Sequence, residues 1–455
     1  MFVFSKNGYE IEKYILFAVI MVGCFLRFFY LDINSLWSDE IFSLQVSDPA
    51  LSFLQAAQMW RSDPGHPPVY YFLLYYYFDV FPYTPFYARA LSAIFGVLGV
   101  GVTFLVLRNL WDKRTGLVGA ALLAVHNYHF FYSQEVRSYA LVYLFSALTL
   151  WFLIRANKKP DLVNTIFAGV FMALGCFTHY FGLLYTGLIF LSLLLVFRQR
   201  IFSDKRWVLY VGVIFAIVIS PWAVWVLEDF SGTSQLWTDT MPLVKNTTFV
   251  VVQLLGGRWA ALFLSLCVAY FIFSNKLTVK KQHYLLAFIA SFLALAVLYS
   301  VMRFSVMIPR YYMVLLPCVI VAMAGVVCSL PASRVIVPCL LLIFAWPTFL
   351  ADVNAFDRRG SGHNPKGLLH WVQEQQPVYP VVSNGHIQTL KKAYDVRTLD
   401  LKDFSSGFPE DRPFWVLEFH AVHGVEYHLK GYKFRILKQK KQNREAAYLV
   451  RLEGS

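Results

Sequence analysis

Leu36-Trp37-Ser38-Asp39-Glu40-Ile41 sets two adjacent carboxylates just after an apolar run, Tyr14 to Leu31. That run decides what kind of chain this is. A membrane-spanning helix needs roughly 17–25 predominantly apolar residues, and this run reaches that length. It ends in Arg27-Phe28-Phe29-Tyr30 with no small-residue cleavage site, so it reads as a retained signal-anchor helix. The two acids are then delivered to the far side of a bilayer.

Composition agrees along the whole chain. Of 455 residues, 58% are hydrophobic, 18% aromatic and only 15% charged. Soluble domains carry about 45–50% apolar and about 25% charged residues, which excludes that class. The net charge of +13 is not a nucleic-acid signature here. Lys and Arg collect in short loops between apolar runs, as they do on the cytoplasmic side of membrane proteins. The cysteines Cys24, Cys176, Cys267, Cys318, Cys328 and Cys339 all fall in apolar runs. They read as small buried residues, with neither a disulfide framework nor metal-ligand spacing.

Apolar runs predict an α-helical polytopic membrane protein of about eleven spans, near 14–31, 86–107, 116–132, 138–154, 163–179, 182–197, 208–226, 257–274, 284–302, 311–330 and 334–350. Alternate loops carry the bases: Arg108 to Arg114, Arg155 to Lys159, Arg198 to Arg206, Lys276 to Lys281, and Arg334. The positive-inside rule then puts the N-terminus in the cytoplasm, Trp37 to Glu40 outside and, after an odd number of spans, the C-terminus outside. Two domains are expected. Residues 1–350 form the membrane domain. It includes an outer loop, 32–85, whose segments Pro49 to Trp60 and Val69 to Phe81 have the amphipathic pattern of interfacial helices. The Asp63-Pro64-Gly65-His66-Pro67-Pro68 turn separates them. A second outer piece, 227–256, is polar and Thr-rich. Residues 351–455 have soluble composition and predict a small extracytoplasmic α/β domain. Its helix spans Pro365 to Gln375, and its strands lie near 378–383, 414–419, 433–437 and 446–452. The charge run Lys438 to Arg444 reads as a solvated hairpin tip.

Polar groups beside spans need a reason, since a charge at a helix centre costs about 2.5–3.5 kcal/mol on insertion scales. Asp39, Glu40, His66, Arg89, Glu135, Arg137, His179, Tyr180, Arg303, Arg310 and Tyr311 all fall on the expected outer surface, and none at mid-span. Taken singly, each has a plainer reading. Asp39-Glu40 reads as loop charge, and Arg89, Arg137 and Arg310 as snorkelling cations. His179 reads as a satisfied structural histidine, His66-Pro67-Pro68 as a stiff bend, and Glu135 with Arg137 as a local ion pair. The gathering of the whole set on one side weighs against these. A transporter or lipid-linked sugar flippase would instead put ionisable groups near the midplane and show inverted repeats, and neither is seen. A scaffold would leave the outer acids and arginines replaceable.

Such groups suit chemistry at a lipid headgroup. A carboxylate takes a proton from an attacking hydroxyl or amine. Arg and His hold a phosphate leaving group, while Tyr and Trp suit sugar faces and the lipid boundary. The reaction these imply is glycosyl transfer from a lipid-phosphate sugar.

Arg27, Trp37-x-Asp39-Glu40, His66-Pro67-Pro68-x-Tyr70-Tyr71, Arg89-Ala90-Leu91-Ser92, Ser133-Gln134-Glu135-x-Arg137-x-Tyr139 and Pro309-Arg310-Tyr311 occur in this order. Over residues 14–330 the chain thereby resembles the GT-C-type membrane glycosyltransferases, the superfamily of protein O-mannosyltransferases and lipid A aminoarabinose transferases, in particular the bacterial family 39-like members. The resemblance implies a GT-C-like membrane domain and a polyprenyl-phosphate sugar donor. It also implies a glycolipid, polysaccharide or protein acceptor, inversion at the anomeric carbon and no nucleic-acid partner. It implies Asp39 as catalytic base, with Glu40 and Glu135 shaping the acceptor side or holding a divalent metal, for which Asp39 and Glu135 would be the ligands. Arg310 and Tyr311, assisted by Arg137 and His179, would bind the donor phosphate. Trp37, His66, Tyr70, Arg89 and Tyr139 would complete the substrate site. The residues themselves leave open which of the two adjacent acids is the base. Glu135 stands where some relatives use Asp, and the lumenal repeat domains of eukaryotic protein mannosyltransferases are not found. A bacterial or archaeal plasma membrane, with the site on its outer face, is the implied location.

Overall fold

The long apolar runs fold as helices, because a backbone in apolar surroundings must close its own hydrogen bonds. The computed structural model describes residues 6–62, 67–196, 206–229, 242–273, 280–302, 306–330, 333–350, 365–375, 379–383, 387–394, 401–403, 413–419, 429–430, 432–442 and 445–453. His66 with its turn 63–65, Arg303, residues 230–241 of the second outer piece and the last two residues of the charge run, 443–444, lie outside the described residues; Lys438 to Gln442 of that run belong to a strand and not to a hairpin tip.

In chain order the helices are α1 (Lys6–Phe28), α2 (Ser38–Gln45), α3 (Phe53–Ser62), α4 (Val69–Tyr77), α5 (Pro85–Leu110) and α6 (Lys113–Ala124). Then come α7 (Asn127–Ser133), α8 (Tyr139–Lys158), α9 (Leu162–Thr178), α10 (Phe181–Val196), α11 (Arg206–Asp229) and α12 (Leu243–Leu254). The rest are α13 (Arg258–Phe273), α14 (Lys280–Met302), a 3-10 turn (Pro309–Val314), α15 (Leu316–Ser329), α16 (Ser333–Leu350), α17 (Pro365–Gln373) and α18 (Ile387–Ala393). Among the described residues, α5 and α8 are long and apolar enough to cross a membrane by length and composition. A bent pair, Leu243–Leu254 with Arg258–Leu266, adds a third if it is one span.

The expected spans fall on these helices with two differences. The run 116–132 is broken at Val125-His126 into α6 and α7. Arg27, fully buried, donates to the carbonyls of Leu123 and Ala124 at 3.1 Å each. The end of α6 thus has its acceptors satisfied without the helix continuing. The run 311–330 opens as a 3-10 turn, with Pro309 at its start and Pro317 at the start of α15, both at positions where a missing N–H costs nothing. The 77° bend between α12 and α13 turns on Gly256 at φ +88° and Gly257 at φ +104°. A Cβ on Gly256 would lie 2.4 Å from the Phe344 ring, so both backbone and space call for glycine.

The chain divides into two compact units. The first comprises Met1–Phe29, Ala57–Phe72 and Leu91–Leu350; the second comprises Tyr30–Ala56, Leu73–Ala90 and Ala351–Ser455. The cut differs from a boundary at residue 350, because two pieces of the first long loop cluster with the tail. The first unit buries an apolar core running from Val100 to Phe344 that includes Leu107, Leu150, Tyr185 and Leu316. Large apolar side chains such as Leu209, Ile217, Leu266, Val301 and Leu342 stay exposed on it, as a lipid-facing surface requires.

The second unit holds a five-stranded sheet: β1 (Val381–Ser383), β2 (Leu401–Asp403), β3 (Phe414–Phe419), β4 (Phe434–Gln442) and β5 (Glu445–Leu452), in the order β2-β1-β3-β5-β4. β1 is parallel to β2 and β3 (Val381 opposite Leu401 and Trp415), and β5 is antiparallel to β3 and β4. Val382, Phe414, Val416, Tyr448 and Val450 form its core. β2 and α18 had no sequence signal. β4 is one of the two edge strands and carries Arg435, Lys438, Lys440 and Lys441, a common guard against edge-to-edge pairing.

Candidate functional site

In the second unit the Asp39-Glu40 pair sits in the first turn of α2. Trp37 precedes the helix with extended backbone, and its N–H donates to Glu40 Oε2 at 3.3 Å. Glu40 thus supplies the acceptor half of a capping box, where negative charge also suits the helix dipole. Its main partner is Arg89, at the start of α5. Arg89 Nε donates to Glu40 Oε1 at 2.8 Å and a terminal nitrogen to Oε2 at 2.7 Å, a bidentate fork. Arg89 also donates to the carbonyls of Leu31 (3.0 Å), Asn34 (2.8 Å) and Ser35 (3.2 Å). Glu40 is 0% and Arg89 1% exposed. Every N–H of Arg89 has a protein acceptor, so it holds the loop 31–35 against α2 and has no donor left for a ligand. That departs from its expected place among the substrate-binding residues.

Asp39 is partly exposed. Ser38 Oγ approaches its carboxylate at 3.5 Å, and Ser43 Oγ donates to its backbone carbonyl at 2.8 Å. The two acids, indistinguishable by sequence, therefore have different surroundings. Trp37, next to them, is also partly exposed.

In the first unit, Gln134 to Ser138 form a buried link between α7 and α8. Gln134 anchors it by donating to the carbonyls of Leu26 (3.2 Å), Arg27 (3.3 Å) and Phe29 (2.9 Å), capping the end of α1. Glu135 is 3% and Arg137 2% exposed. The Arg137 N–H donates to the Glu135 carbonyl at 2.7 Å. The Arg137 guanidinium donates to Tyr71 Oη at 3.2 Å and lies 5.9 Å over the Tyr139 ring. Tyr70 shares a 2.8 Å hydrogen bond with Ser92, which donates to the Arg137 carbonyl at 3.3 Å. Tyr70 therefore acts on the backbone of this link.

A chain of rings joins that link to the other expected residues. Tyr128 packs edge-on against Tyr132 and Tyr132 against Tyr139; Tyr139 lies 6.5 Å from His179, and His179 5.3 Å from Tyr311. Tyr311 stacks on Phe181 at 5.8 Å, and Arg310 sits 5.7 Å over the Tyr311 ring. The hydroxyl of Tyr128 donates to the carbonyl of Pro309, tying α7 to the 3-10 turn. His179 ends α9, and its Nδ1 accepts the Phe181 N–H at 3.2 Å. A neutral ring then carries its proton on Nε2. The tight turn requires Gly182, whose Cβ would lie 2.2 Å from the Gly175 carbonyl.

Of the expected residues, Glu135, Arg137, Tyr139, His179, Arg310 and Tyr311 thus share one neighbourhood in the first unit. Trp37, Asp39, Glu40 and Arg89 share another in the second, and His66 is outside the described residues. Tyr71, the hydroxyl partner of Arg137, was part of the quoted Tyr70-Tyr71 motif without a role of its own. Among the described residues no three His, Cys, Asp or Glu side chains gather to hold a metal ion, and Glu40 is occupied by Arg89.

The fold is that of the GT-C-type glycosyltransferases. Residues 65–225 match the family model described as dolichyl-phosphate-mannose-protein mannosyltransferase. The structure is similar to ArnT from Cupriavidus metallidurans in the apo state, with a TM-score of 0.66 at 14% identity over 98% of each chain. It is similar to the same protein bound to undecaprenyl phosphate, with a TM-score of 0.65, again at 14% identity over 98% of each chain. No curated protein sequence matches the chain.

Proposed function

We propose that this chain is a membrane glycosyltransferase that moves a sugar from a polyprenyl-phosphate donor to an extracytoplasmic glycolipid, polysaccharide or protein acceptor, with inversion. The observation that carries the reading is the gathering of Arg137, His179 and Arg310 along one chain of tyrosine rings. Cations of this kind hold a phosphate through charge-assisted hydrogen bonds, and tyrosines suit a sugar face. The ArnT fold likeness supports it, as does the undecaprenyl phosphate bound by that relative.

Asp39 is the general base. Glu40 is neutralised by Arg89, whereas Asp39 keeps a partly exposed carboxylate. The acceptor O–H or N–H attacks the anomeric carbon opposite the phosphate, and Asp39 takes its proton. The bond from that carbon to the phosphate oxygen breaks, and polyprenyl phosphate leaves with the electron pair. Arg310 and Tyr311, with Arg137 and His179, stabilise the charge that develops on it. Glu135 shapes the acceptor side. The eleven-span topology, with the N-terminus inside and the tail outside in a bacterial or archaeal plasma membrane, belongs to the same proposal. Labelling of Ala50→Cys from outside intact cells tests it; labelling only after permeabilisation refutes that sidedness.

The deciding experiment supplies the full chain in liposomes with a panel of polyprenyl-phosphate sugars and candidate acceptors and identifies products by mass spectrometry. Transfer by the wild type and its loss in a folded Asp39→Asn variant are expected. Wild-type turnover by Asp39→Asn removes Asp39 from the role of base.

A further inference from the structure

The tail touches α2 at both ends. At the approach to the helix, the N–H of Leu36 donates to the hydroxyl of Tyr394 at 2.7 Å. At the exit, Lys392 pairs with Asp48 and lies 4.7 Å over the ring of Tyr83, whose hydroxyl donates to the Leu44 carbonyl at 3.0 Å. Lys392 belongs to α18 and Tyr394 follows it directly, so one short tail helix grips the helix bearing Asp39 and Glu40 before its first residue and after its last. Leu36 is fully buried, Tyr394 is half-buried, and its hydroxyl lies near Arg89, Glu40 and Asp32. Burial raises its pKa above the ordinary tyrosine range, so it stays a neutral phenol at every physiological pH.

Nothing in the local sequence obliges this arrangement. Helix α2 has only eight residues, too few to hold its own orientation in isolation. The Glu40–Arg89 fork fixes its first turn from one side, and the tail contacts fix its two ends. A carboxylate acting as a base must sit within hydrogen-bond reach of the proton it takes, and small misplacements of such groups cost large factors in rate.

We infer that Tyr394 and Lys392 are positioning residues for the reaction: the C-terminal domain clamps α2 and thereby sets the direction of the Asp39 carboxylate. The inference rests on the reading of Asp39 as base. It gives the tail a role in turnover without assigning it any contact with substrate.

The test uses the full-length protein in liposomes, with Tyr394→Phe, Lys392→Ala and Lys392→Arg variants. Backbone hydrogen exchange is followed over Leu36–Gln45 and, as an internal reference, over Phe414–Phe419 of the sheet. Removing one hydrogen-bond partner from a buried N–H is expected to raise exchange at Leu36–Gln45 by about tenfold in Tyr394→Phe, with the sheet unchanged. Lys392→Ala should produce a smaller rise, restored by Lys392→Arg. Steady-state transfer should show kcat lowered about five- to tenfold in Tyr394→Phe with the donor KM unchanged, since the substrate-binding residues of the first unit are intact. Unaltered exchange at Leu36–Gln45 in both Tyr394→Phe and Lys392→Ala overturns the clamp. Equal loss of protection in the sheet, or a change in donor KM alone, overturns the positioning role. A wild-type protein that transfers no sugar overturns the functional reading instead, while the exchange data still decide whether the clamp exists.

Discussion

Arg89 and Arg137 are both nearly inaccessible to solvent, yet they are built into opposite kinds of surroundings. Arg89 faces a carboxylate and three backbone carbonyls, all of them acceptors fixed by the chain. The contacts of Arg137 among the described residues include a tyrosine hydroxyl and the face of a tyrosine ring. A hydroxyl can give way to a stronger anionic acceptor, and a ring leaves the edge of the guanidinium accessible to one. A carboxylate fork does neither. Burial of an arginine therefore says little about its role; the identity of its acceptors says more. By this measure Arg89 is architecture, and Arg137 is the one of the two to which the proposed function gives a phosphate.

The largest effect follows from cutting the fork. Arg89→Ala strands Glu40 as a buried, uncompensated charge, and such losses cost about 3–5 kcal/mol. The variant is expected to unfold at markedly lower temperature in detergent and to lose transfer as a consequence of lost structure. Glu40→Gln keeps the shape but not the charge and should fall between Arg89→Ala and the wild type. A thermal midpoint for Arg89→Ala within error of the wild type would show that the fork is not what holds the loop to α2. Arg137→Ala is the matching experiment in the other region. There donor binding should weaken, with a loss of stability smaller than that of Arg89→Ala. Arg310→Ala should likewise raise the donor KM, and unchanged donor affinity would remove Arg310 from phosphate binding.

A smaller effect separates hydroxyl from ring. Tyr71→Phe deletes only the oxygen that accepts from Arg137, 3.2 Å away. The expected outcome is a change in donor affinity of about fivefold, with a stability loss no larger than the about 1.5–3 kcal/mol of a hydrogen bond to a charged group and below that of Arg89→Ala. A stability loss comparable to that of Arg89→Ala would collapse the distinction between the two arginines.

How far the sequence carried this reading depends on the range of the interaction. Helix positions were legible because hydrophobic runs are local. The break at Val125-His126 was not, because it depends on Arg27, which lies about a hundred residues away in the chain. The side of the membrane on which charges belong could be argued from loop composition. The split between Asp39 and Glu40 could not, since it rests on Arg89, which is 49 residues beyond Glu40. Tyr394 gave no signal at all. The contact that matters for the inferred clamp is with a backbone N–H, and a backbone N–H has no residue identity to read. The three-residue strand β2 and the seven-residue α18 were invisible for a related reason, being too short to show a period and kept in place by the surrounding unit.

The exposed pair Lys159–Asp161, 3.3 Å apart on the loop before α9, gives the weakest case of the same comparison and the smallest expected effect. Asp161 is the N-cap of α9; its side chain accepts the N–H of Asn164 at 2.8 Å. That hydrogen bond, more than the neighbouring lysine, holds its carboxyl below the usual carboxylate range. The folded pKa is thus lower than the unfolded one. The stabilisation is present above the unfolded value, about 3.9, and disappears as pH falls through the folded value. Lowering the pH from neutral to about 5 should leave α9 unaffected, and fraying of its first turn should begin only below about pH 4. Asn at this position can still accept the Asn164 N–H and is a good N-cap, so Asp161→Asn should remove the pH dependence while keeping the helix. Salt should matter little, because a backbone donor and not the lysine dominates the shift. Hydrogen exchange at Asn164 as a function of pH would decide it. A transition near neutral pH, or strong screening by salt, would show that the Lys159 charge is the controlling partner. In that case charge pairing at the surface would weigh more in this protein than the contrast between Arg89 and Arg137 implies.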